Sequence, residues 1–199
     1  MRVINTLFTK TAIHSIRLLL ICTVLAGFIY PAAVTLAAKG FHSKAEGSLI
    51  KQDGKIVGSE LIGQKFEKAI YFHSRPSACD YSTLPSSASN LAPSSAALAK
   101  LVADRRSAFA SSNSIDPSTV PSDMLYASAS GLDPHISPES ARMQIHRIAA
   151  ARNLSADKEA DLAKIVASLT ENPSFGIFGQ QRINVLRLNI ETDRMFSHE

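Results

Sequence analysis

The chain has 199 residues, which suits one membrane segment and one domain. Hydrophobic residues make up 45% and charged residues 19%, which excludes a disordered charged chain, and two cysteines exclude a disulfide-stapled miniprotein. The net charge of +4 is concentrated at the N-terminus. Residues 1–38 hold three basic and no acidic side chains, whereas the remainder holds 18 basic and 17 acidic ones, so no nucleic-acid-binding face is predicted.

Residues 18–38 form a run of 21 positions without a formal charge. As a helix this run would be about 31 Å long, close to the hydrocarbon thickness of a bilayer. We therefore predict a transmembrane helix over 18–38 after a tail of residues 1–17. Pro31 predicts a kink that Thr35 can compensate. The alternative is a cleaved secretory signal, but the run exceeds the roughly 7–15 apolar residues typical of such signals.

The orientation of the chain is not decided by counting Lys and Arg, because a long C-terminal domain is discounted in that count. The short tail carries no acidic residue, so we place it in the cytoplasm and residues 39–199 outside it. The span contains no charged side chain, and ion pathways usually need such groups or carbonyl filters. The helix is therefore expected to anchor the chain in the lipid bilayer and not to conduct ions.

The domain after the span has an α+β pattern that begins near residue 41. Asp53-Gly54 between apolar runs predicts a type I′ hairpin, because both central residues of that turn need φ > 0. Residues 69–72 predict a third strand. Residues 77–95 are rich in Ser, Ala and Pro and predict a loop of a length that is more often functional than a linker.

Helical periodicity and capping residues dominate the second half of the domain. A helix is predicted from about Ser94, with one face formed by Leu98, Leu101, Val102, Arg105 and Phe109. Ser137 and Ser155 predict the starts of two more helices. In the first of these, the side chains expected outside the buried stripe are Arg142, His146 and Arg147. Residues 111–122 predict a loop, and 124–126 and 183–190 predict strands, the latter closing the sheet.

The motifs of several enzyme classes are absent from the sequence. It has no P-loop, no G-x-G-x-x-G and no D-K-T-G phosphorylation sequence. A hydrolase that uses Ser130, Asp133 and His135 remains an alternative, although residues this close together usually form turns. No metal site is predicted, because a structural zinc needs four ligands and no second pair follows. Cys79 is the only cysteine outside the span and is expected to be a partly buried hydrophobe.

Three segments, 71–78, 86–93 and 128–137, are dense in turn-forming residues and are predicted to be tight turns packed together. With the N-terminal anchor, they resemble the KdpC family, the C subunit of the Kdp potassium-transporting ATPase. The similar segments are G-S-L-I at 47–50, G-S-E-L-I-G-Q-K-F at 58–66, Y-F-H-S-R-P-S-A at 71–78, S-N-L at 89–91, S-A-S-G-L-D-P-H-I-S at 128–137 and N-V-L-R-L-N at 184–189.

The chain departs from the family pattern at a few positions. Ser87 and Ala88 stand where the family usually has two glycines, Ala92 stands where a third is common, and Tyr126 replaces the usual Thr. Without those glycines the backbone of the loop approaches a ligand less closely. This weakens any expectation that the loop cradles phosphate.

The resemblance implies a non-catalytic accessory subunit of an ATP-driven potassium pump in the inner membrane. The implied partners are a potassium-binding, channel-like subunit, a P-type ATPase subunit and a small hydrophobic subunit. The family has been proposed to act as a catalytic chaperone that raises the ATP affinity of the ATP-hydrolysing subunit. No tightly bound cofactor is expected in this chain, and ATP would be met through the complex.

The resemblance also implies roles for particular residues. The glutamine of the family's A-x-x-Q helix, which has been linked to nucleotide binding, corresponds to Gln144; by itself it would be a solvated or capping residue. The candidates for partner contacts are Arg75, Pro76, Ser77, Ser89, Asn90, Ser130, Gly131, Leu132 and Asp133. A domain outside the cytoplasm would not meet cytoplasmic ATP. We therefore expect it to pack over the outer mouth of the potassium-conducting subunit.

Overall fold

The computed structural model describes residues 2–196, with side chains from Lys10 onward, and divides into two compact units between Ser48 and Leu49. The first unit is helical: α1 is Arg2–Val24, a π-helical turn is Leu25–Ile29, α2 is Tyr30–Ala38 and α3 is His42–Ala45. Helix α1 thus begins within the predicted tail of residues 1–17 and not at residue 18. The stretch Lys10–Ala38, with a mean hydropathy of 2.1 in its most apolar window, is long and apolar enough to cross a membrane.

Pro31 disturbs this helix in a specific way. Because proline has no amide hydrogen, the α-helical hydrogen-bond ladder cannot continue through it. The π-helical turn Leu25–Ile29 lies directly before α2, which has proline in its first turn. The Thr35 hydroxyl donates to the Pro31 carbonyl at 2.7 Å. The structure therefore has a wider, π-helical turn directly before the turn that contains Pro31.

The second unit begins with a β-hairpin. Strands β1 (Leu49–Gln52) and β2 (Lys55–Ser59) pair antiparallel, and their register shifts between Ile50 and Lys51. Asp53 and Gly54 have φ angles of 50° and 76°, which confirms the predicted type I′ geometry.

Five helices and a second two-stranded pair complete the fold and confirm the α+β class. The elements are α4 (Ala96–Asn113), a 3₁₀ turn (Pro117–Thr119), α5 (Ser122–Leu125), β3 (His135–Ile136), α6 (Pro138–Ala151), α7 (Ala156–Ser168), β4 (Ile183–Asn184) and α8 (Val185–Phe196). Strands β3 and β4 pair antiparallel. The core lies among the helices and includes Phe72, Phe109, Ile136, Ile148, Leu162, Val166, Ile183 and Leu188.

The predicted helix starts agree with the caps that the structure shows. The Ser95 hydroxyl accepts from the Leu98 amide at the start of α4, one residue from the predicted position. Ser137 caps α6 in the same way. Ser155 occupies the capping position of α7 without a side-chain hydrogen bond.

Residues 69–72 are not the predicted third strand. They form no strand, and the hydrogen-bond partners of the Phe72 main chain are side-chain atoms and not a neighbouring strand. The Asn189 amide group accepts from the Phe72 N–H at 2.8 Å and donates to the Phe72 carbonyl at 3.0 Å. Because α8 supplies this partner from 117 residues away, no local pattern could reveal it.

The predicted strand at 183–190 is also wrong beyond its first two residues. Only Ile183–Asn184 is β-structure, and α8 begins at Val185. The buried positions of α8 are spaced as in a helix: Val185, Leu186, Leu188, Asn189 and Thr192. The side chain of Asn184 accepts from the Arg187 amide at 3.1 Å and caps the helix.

The segment 124–126 is not a strand either, because Ser122–Leu125 forms the short helix α5 and buries the adjacent side chains Met124 and Leu125. The predicted loop 111–122 is shortened from both ends, since α4 runs to Asn113 and α5 begins at Ser122, and a 3₁₀ turn lies between these two helices. The predicted face of α4 is buried only in its second half, where Phe109 is 8% exposed while Leu101 is 39% exposed.

Candidate functional site

The three turn-rich segments meet in space, as predicted, and we call residues 71–79, 86–93 and 128–137 together the turn cluster. The Ser128 amide donates to the Pro76 carbonyl at 3.2 Å, which joins the first segment to the third. The Cys79 thiol lies 3.8 Å from the Gly131 carbonyl and joins them a second time. The second segment approaches Gly131 through the carbonyl of Ser87.

Gly131 occupies the point at which all three segments converge. Its φ angle is +71°, and a Cβ atom at this position would lie 2.4 Å from Cys79 Sγ and 2.9 Å from the Ser87 carbonyl oxygen. Both the backbone conformation and the available space therefore require glycine.

Arg75 and Asp133 form an ion pair at the centre of the turn cluster. Nη1 of Arg75 lies 2.8 Å from Oδ2 of Asp133, and each side chain is about one quarter exposed. Oδ1 of Asp133 accepts from the His135 amide at 3.0 Å and lies 3.3 Å from His135 Nδ1. Burial alone would raise the pKa of Asp133, but hydrogen bonds from His135 and the nearby Arg75 charge lower it below its ordinary value. Asp133 is therefore a carboxylate at neutral pH.

The same ion pair lines two open clefts. One cleft, of about 470 Å³, is lined by the charged side chains of Arg75, Asp123, Asp133, Glu139 and Arg182 and by His135. The other, of about 600 Å³, is lined by residues that include Leu61, Ile62, Ser130 and Leu132. Because side chains of both charge signs line the first cleft, it does not offer the set of oxygen ligands that a bare cation needs.

Other predicted site residues build the turns themselves. The Ser77 hydroxyl accepts from the amides of Tyr81 at 2.9 Å and Cys79 at 3.3 Å. The Leu132 carbonyl accepts from the Gly63 amide at 2.7 Å. Tyr81 helps to position Arg75, because its hydroxyl donates to the Arg75 carbonyl. Burial raises the pKa of Tyr81 to about 12.

Ser89 and Asn90 are exposed, as is Ser130, whereas the other predicted site residues are buried or partly buried. Asn90 has a φ angle of +52°, a conformation that asparagine tolerates better than most residues. Their side chains are therefore available on the surface of the turn cluster.

In contrast, Nε of Arg75 is buried without a hydrogen-bond partner in the part of the chain that the structure describes.

Gln144 is completely buried, so its interpretation as a solvated residue is wrong. Its Oε1 accepts from the His73 amide at 2.7 Å and from Nη2 of Arg147 at 2.8 Å. Its Nε2 donates to the carbonyls of His73 at 3.3 Å and Ser140 at 3.2 Å. A primary amide offers two acceptor positions and two donor hydrogens, and all four are used here.

Arg147 is a residue whose importance the sequence did not reveal. We placed it outside the buried stripe of α6, but its guanidinium donates to the carbonyls of Ala69 and Tyr71 and to Oδ1 of Asn113. Burial lowers the pKa of Arg147 to about 10, which still leaves it charged at neutral pH. The two carbonyls and the Asn113 side chain provide hydrogen-bond acceptors that stabilise the positive charge of Arg147. The only indication in the sequence was that Arg147 lies one helical turn after Gln144.

Arg152, at the end of α6, extends this set of contacts. Its Nε donates to the Ile70 carbonyl at 2.8 Å, and its guanidinium lies 5.5 Å from the centre of the Tyr71 ring. Asp193 of α8 pairs with it at 2.6 Å. Side chains of α6 and α8 thus hold residues 69–73 and, through them, the entry into the turn cluster.

The hydrolase alternative does not fit this geometry. The Ser130 hydroxyl accepts from the Leu132 amide at 3.1 Å, which is a local turn contact, and His135 contacts Asp133 instead. Ser130 lines one cleft and His135 lines the other. Across residues 2–196, no group of three or more His, Cys, Asp or Glu side chains is placed to hold a metal ion.

These features define a small α+β protein with one apolar N-terminal helix and a cluster of turns that lacks an assembled hydrolase triad. Residues 12–194 match the family model described as "KdpC: K+-transporting ATPase, c chain", and the chain belongs to this family.

Relatives named "Potassium-transporting ATPase KdpC subunit" cover nearly the whole chain. The protein from Shewanella putrefaciens is 40% identical over 98% of both chains. That from Cereibacter sphaeroides is 46% identical over 88% of this chain and 92% of its own. That from Dechloromonas aromatica is 44% identical over 90% and 94%, respectively. The resemblance noted from the motifs is thereby confirmed.

Proposed function

We propose that this chain is a non-catalytic accessory subunit that assembles and stabilises an ATP-driven potassium uptake complex by docking on its larger partners. One observation carries this proposal. The residues predicted to contact partners are not gathered in an enclosed pocket: the Arg75–Asp133 pair lines two open clefts, and Ser89, Asn90 and Ser130 are exposed. A surface of rigid turns that positions few free reactive groups suits recognition better than catalysis.

The docking partner in this proposal is the potassium-binding, channel-like subunit, with the turn cluster placed over its outer mouth. The near balance of 18 basic and 17 acidic side chains after residue 38 supports protein contact over ion capture. The apolar helix would hold the chain in the inner membrane beside the P-type ATPase subunit and the small hydrophobic subunit. The N-terminus would be cytoplasmic and the second unit extracytoplasmic.

Effects of this subunit on ATP affinity, as in a catalytic chaperone, would be indirect in this proposal. All hydrogen-bonding positions of Gln144 are occupied within the fold, and the side chain has no exposed surface. A nucleotide could reach it only by breaking those contacts. We therefore assign Gln144 a positioning role for the turn cluster, with ATP bound elsewhere in the complex.

Deletion of residues 49–199 tests the proposal, because the fold divides at this boundary and the helical unit is retained. The truncated chain should still insert in membranes, but the complex should dissociate or potassium uptake should fall. Unchanged assembly and uptake would refute the proposal. Protease added to the outside of spheroplasts should cleave the second unit, and protection from that protease would overturn the proposed orientation.

A further inference from the structure

The loop between α7 and β4 displays three large apolar side chains that no described residue covers. Phe175 is 92% exposed, Ile177 78% and Phe178 66%. Phe175 is the most exposed large hydrophobic side chain in the described residues. We call residues 172–181 the apolar loop, since they contain no charged side chain. Single exposed apolar residues are ordinary on proteins, but three within four positions at one tip are not.

The apolar loop is ordered by its own backbone. The amides of Ser174, Gly176, Ile177 and Phe178 all donate to carbonyls within it. Groups that are already paired do not need water, so the tip can enter an apolar medium without leaving those donors unsatisfied. At its base, Glu171 and Arg182 bridge through their backbones and pair at 2.9 Å through their side chains. The charges nearest the tip therefore neutralise each other.

The length of the connection favours lipid as the occupant. Ten residues, 39–48, join the apolar helix to the second unit, and ten residues span at most about 35 Å. Residue 49, where the second unit begins, therefore cannot lie more than about 35 Å from the end of the apolar helix. A tip of three side chains is too small for a stable protein interface, which takes about 800 Å² from each partner. Apolar side chains such as Phe and Leu, in contrast, are typical of the membrane-facing side of segments that lie in the lipid interface.

We propose that the apolar loop inserts Phe175, Ile177 and Phe178 into the lipid interface and gives the protein a second membrane contact. This contact would limit how far the second unit tilts away from the bilayer. The inference rests on the membrane anchor, but it does not depend on docking of the turn cluster.

The test uses the absence of tryptophan from the chain. Phe178→Trp gives the full-length protein a single tryptophan, whose emission is excited selectively over that of the four tyrosines. The variant is reconstituted in phosphatidylcholine vesicles with or without bromine on the upper acyl carbons. We expect a blue-shifted emission and at least a twofold loss of intensity with brominated lipid. Phe175→Trp should behave alike. Tyr126→Trp, at an aromatic position that is 47% exposed and outside the loop, should emit as in water without quenching.

Water-like, unquenched emission from both loop variants would overturn the inference. Shielding that arises only after reconstitution with the other subunits would overturn it as well, because a protein would then cover the loop. A variant that prevents docking of the turn cluster should leave the quenching unchanged, which separates failure of this inference from failure of the proposed function.

Discussion

The side-chain amide of Gln144 forms a two-way hydrogen-bonded pair with the main chain of His73, accepting at 2.7 Å and donating at 3.3 Å. Asn189 does the same for Phe72. Two amide side chains thus take the place of a neighbouring strand for consecutive residues. Arg75 follows two positions later, so the placement of the turn cluster depends on α6 and α8.

Gln144→Ala should destabilise the second unit by about 2–4 kcal/mol, because it leaves the His73 backbone groups and one Arg147 contact unsatisfied in a buried place. The matched control is Gln181→Ala, which removes an exposed amide paired with Asn172 and should cost less than about 0.5 kcal/mol. Urea unfolding of the detergent-solubilised chain measures both. Equal stability of the two variants would contradict the positioning role.

Gly131→Ala should cost about 2–5 kcal/mol, since it combines an unfavourable positive φ with a clash against Cys79 and Ser87. Gly176 has nearly the same φ of +73°, but a Cβ atom there meets nothing within 4 Å. Gly176→Ala should therefore cost only about 1–2 kcal/mol.

A double variant separates the two parts of the Gly131 effect. Adding Cys79→Ala to Gly131→Ala should recover only part of the loss, because the Ser87 carbonyl remains 2.9 Å from the new methyl group. Unfolding midpoints measure these differences. The convergence of the three segments at Gly131 would be disproved if the Gly131 and Gly176 variants were equally stable.

Asp133→Asn should lower the free energy of unfolding by about 1–3 kcal/mol, because it leaves the partly buried Arg75 guanidinium without its anionic partner. Asp104→Asn is the control: Asp104 pairs with Lys100 on an exposed helix face, where such pairs contribute less than about 1 kcal/mol. Comparable losses from the two substitutions would show that the Arg75–Asp133 pair is no more important than a surface pair.

The stability of the second unit should fall in mild acid because of His73. Burial, and secondly the Arg147 charge, lower the pKa of His73 below its ordinary 6.5. The unfolded chain therefore binds a proton at a higher pH than the folded chain does. The stability that the folded protein gains by keeping His73 neutral is fully present above pH 6.5. It is lost as the pH falls from there towards the pKa of His73 in the folded protein.

Urea unfolding at pH 7.5 and pH 5.5 measures this dependence. His73→Gln should show a smaller decrease between the two pH values than the unaltered chain, whereas His14→Gln, in the apolar helix, should leave the decrease unchanged. An identical decrease in the His73 variant would exclude His73 as the source.

Sequence reasoning succeeded where the cause of the structure is local. The Asp53-Gly54 turn and the Ser137 cap depend on residues within a few positions of each other, and both were predicted. It failed for residues 69–72 because their hydrogen-bond partners lie on α6 and α8. The strand predicted at 183–190 failed for another reason: its β-branched and apolar residues outweighed the helical spacing from Val185 onward.

The candidate site also shows that features with local causes could be predicted and features that depend on distant residues could not. The three turn segments could be found from composition, and their packing was predicted. The burial of Gln144 and the partial burial of Arg147 could not be predicted, because polar side chains on a helix are usually solvated and the distant 69–73 segment supplies partners to both. Glycine at 131 is explained by neighbours from two other loops, which no local pattern contains.

The most direct test of docking through the turn cluster is co-purification of the complex with a Ser89→Arg variant, in which a long cation replaces an exposed small side chain of the turn cluster. Ala163→Arg, at an exposed position of α7, makes the same change away from the turn cluster. Both variants should have an unaltered unfolding midpoint. We expect Ser89→Arg to lose most of the partner subunits and of potassium uptake, while Ala163→Arg retains both. Full co-purification and uptake with Ser89→Arg would contradict the account.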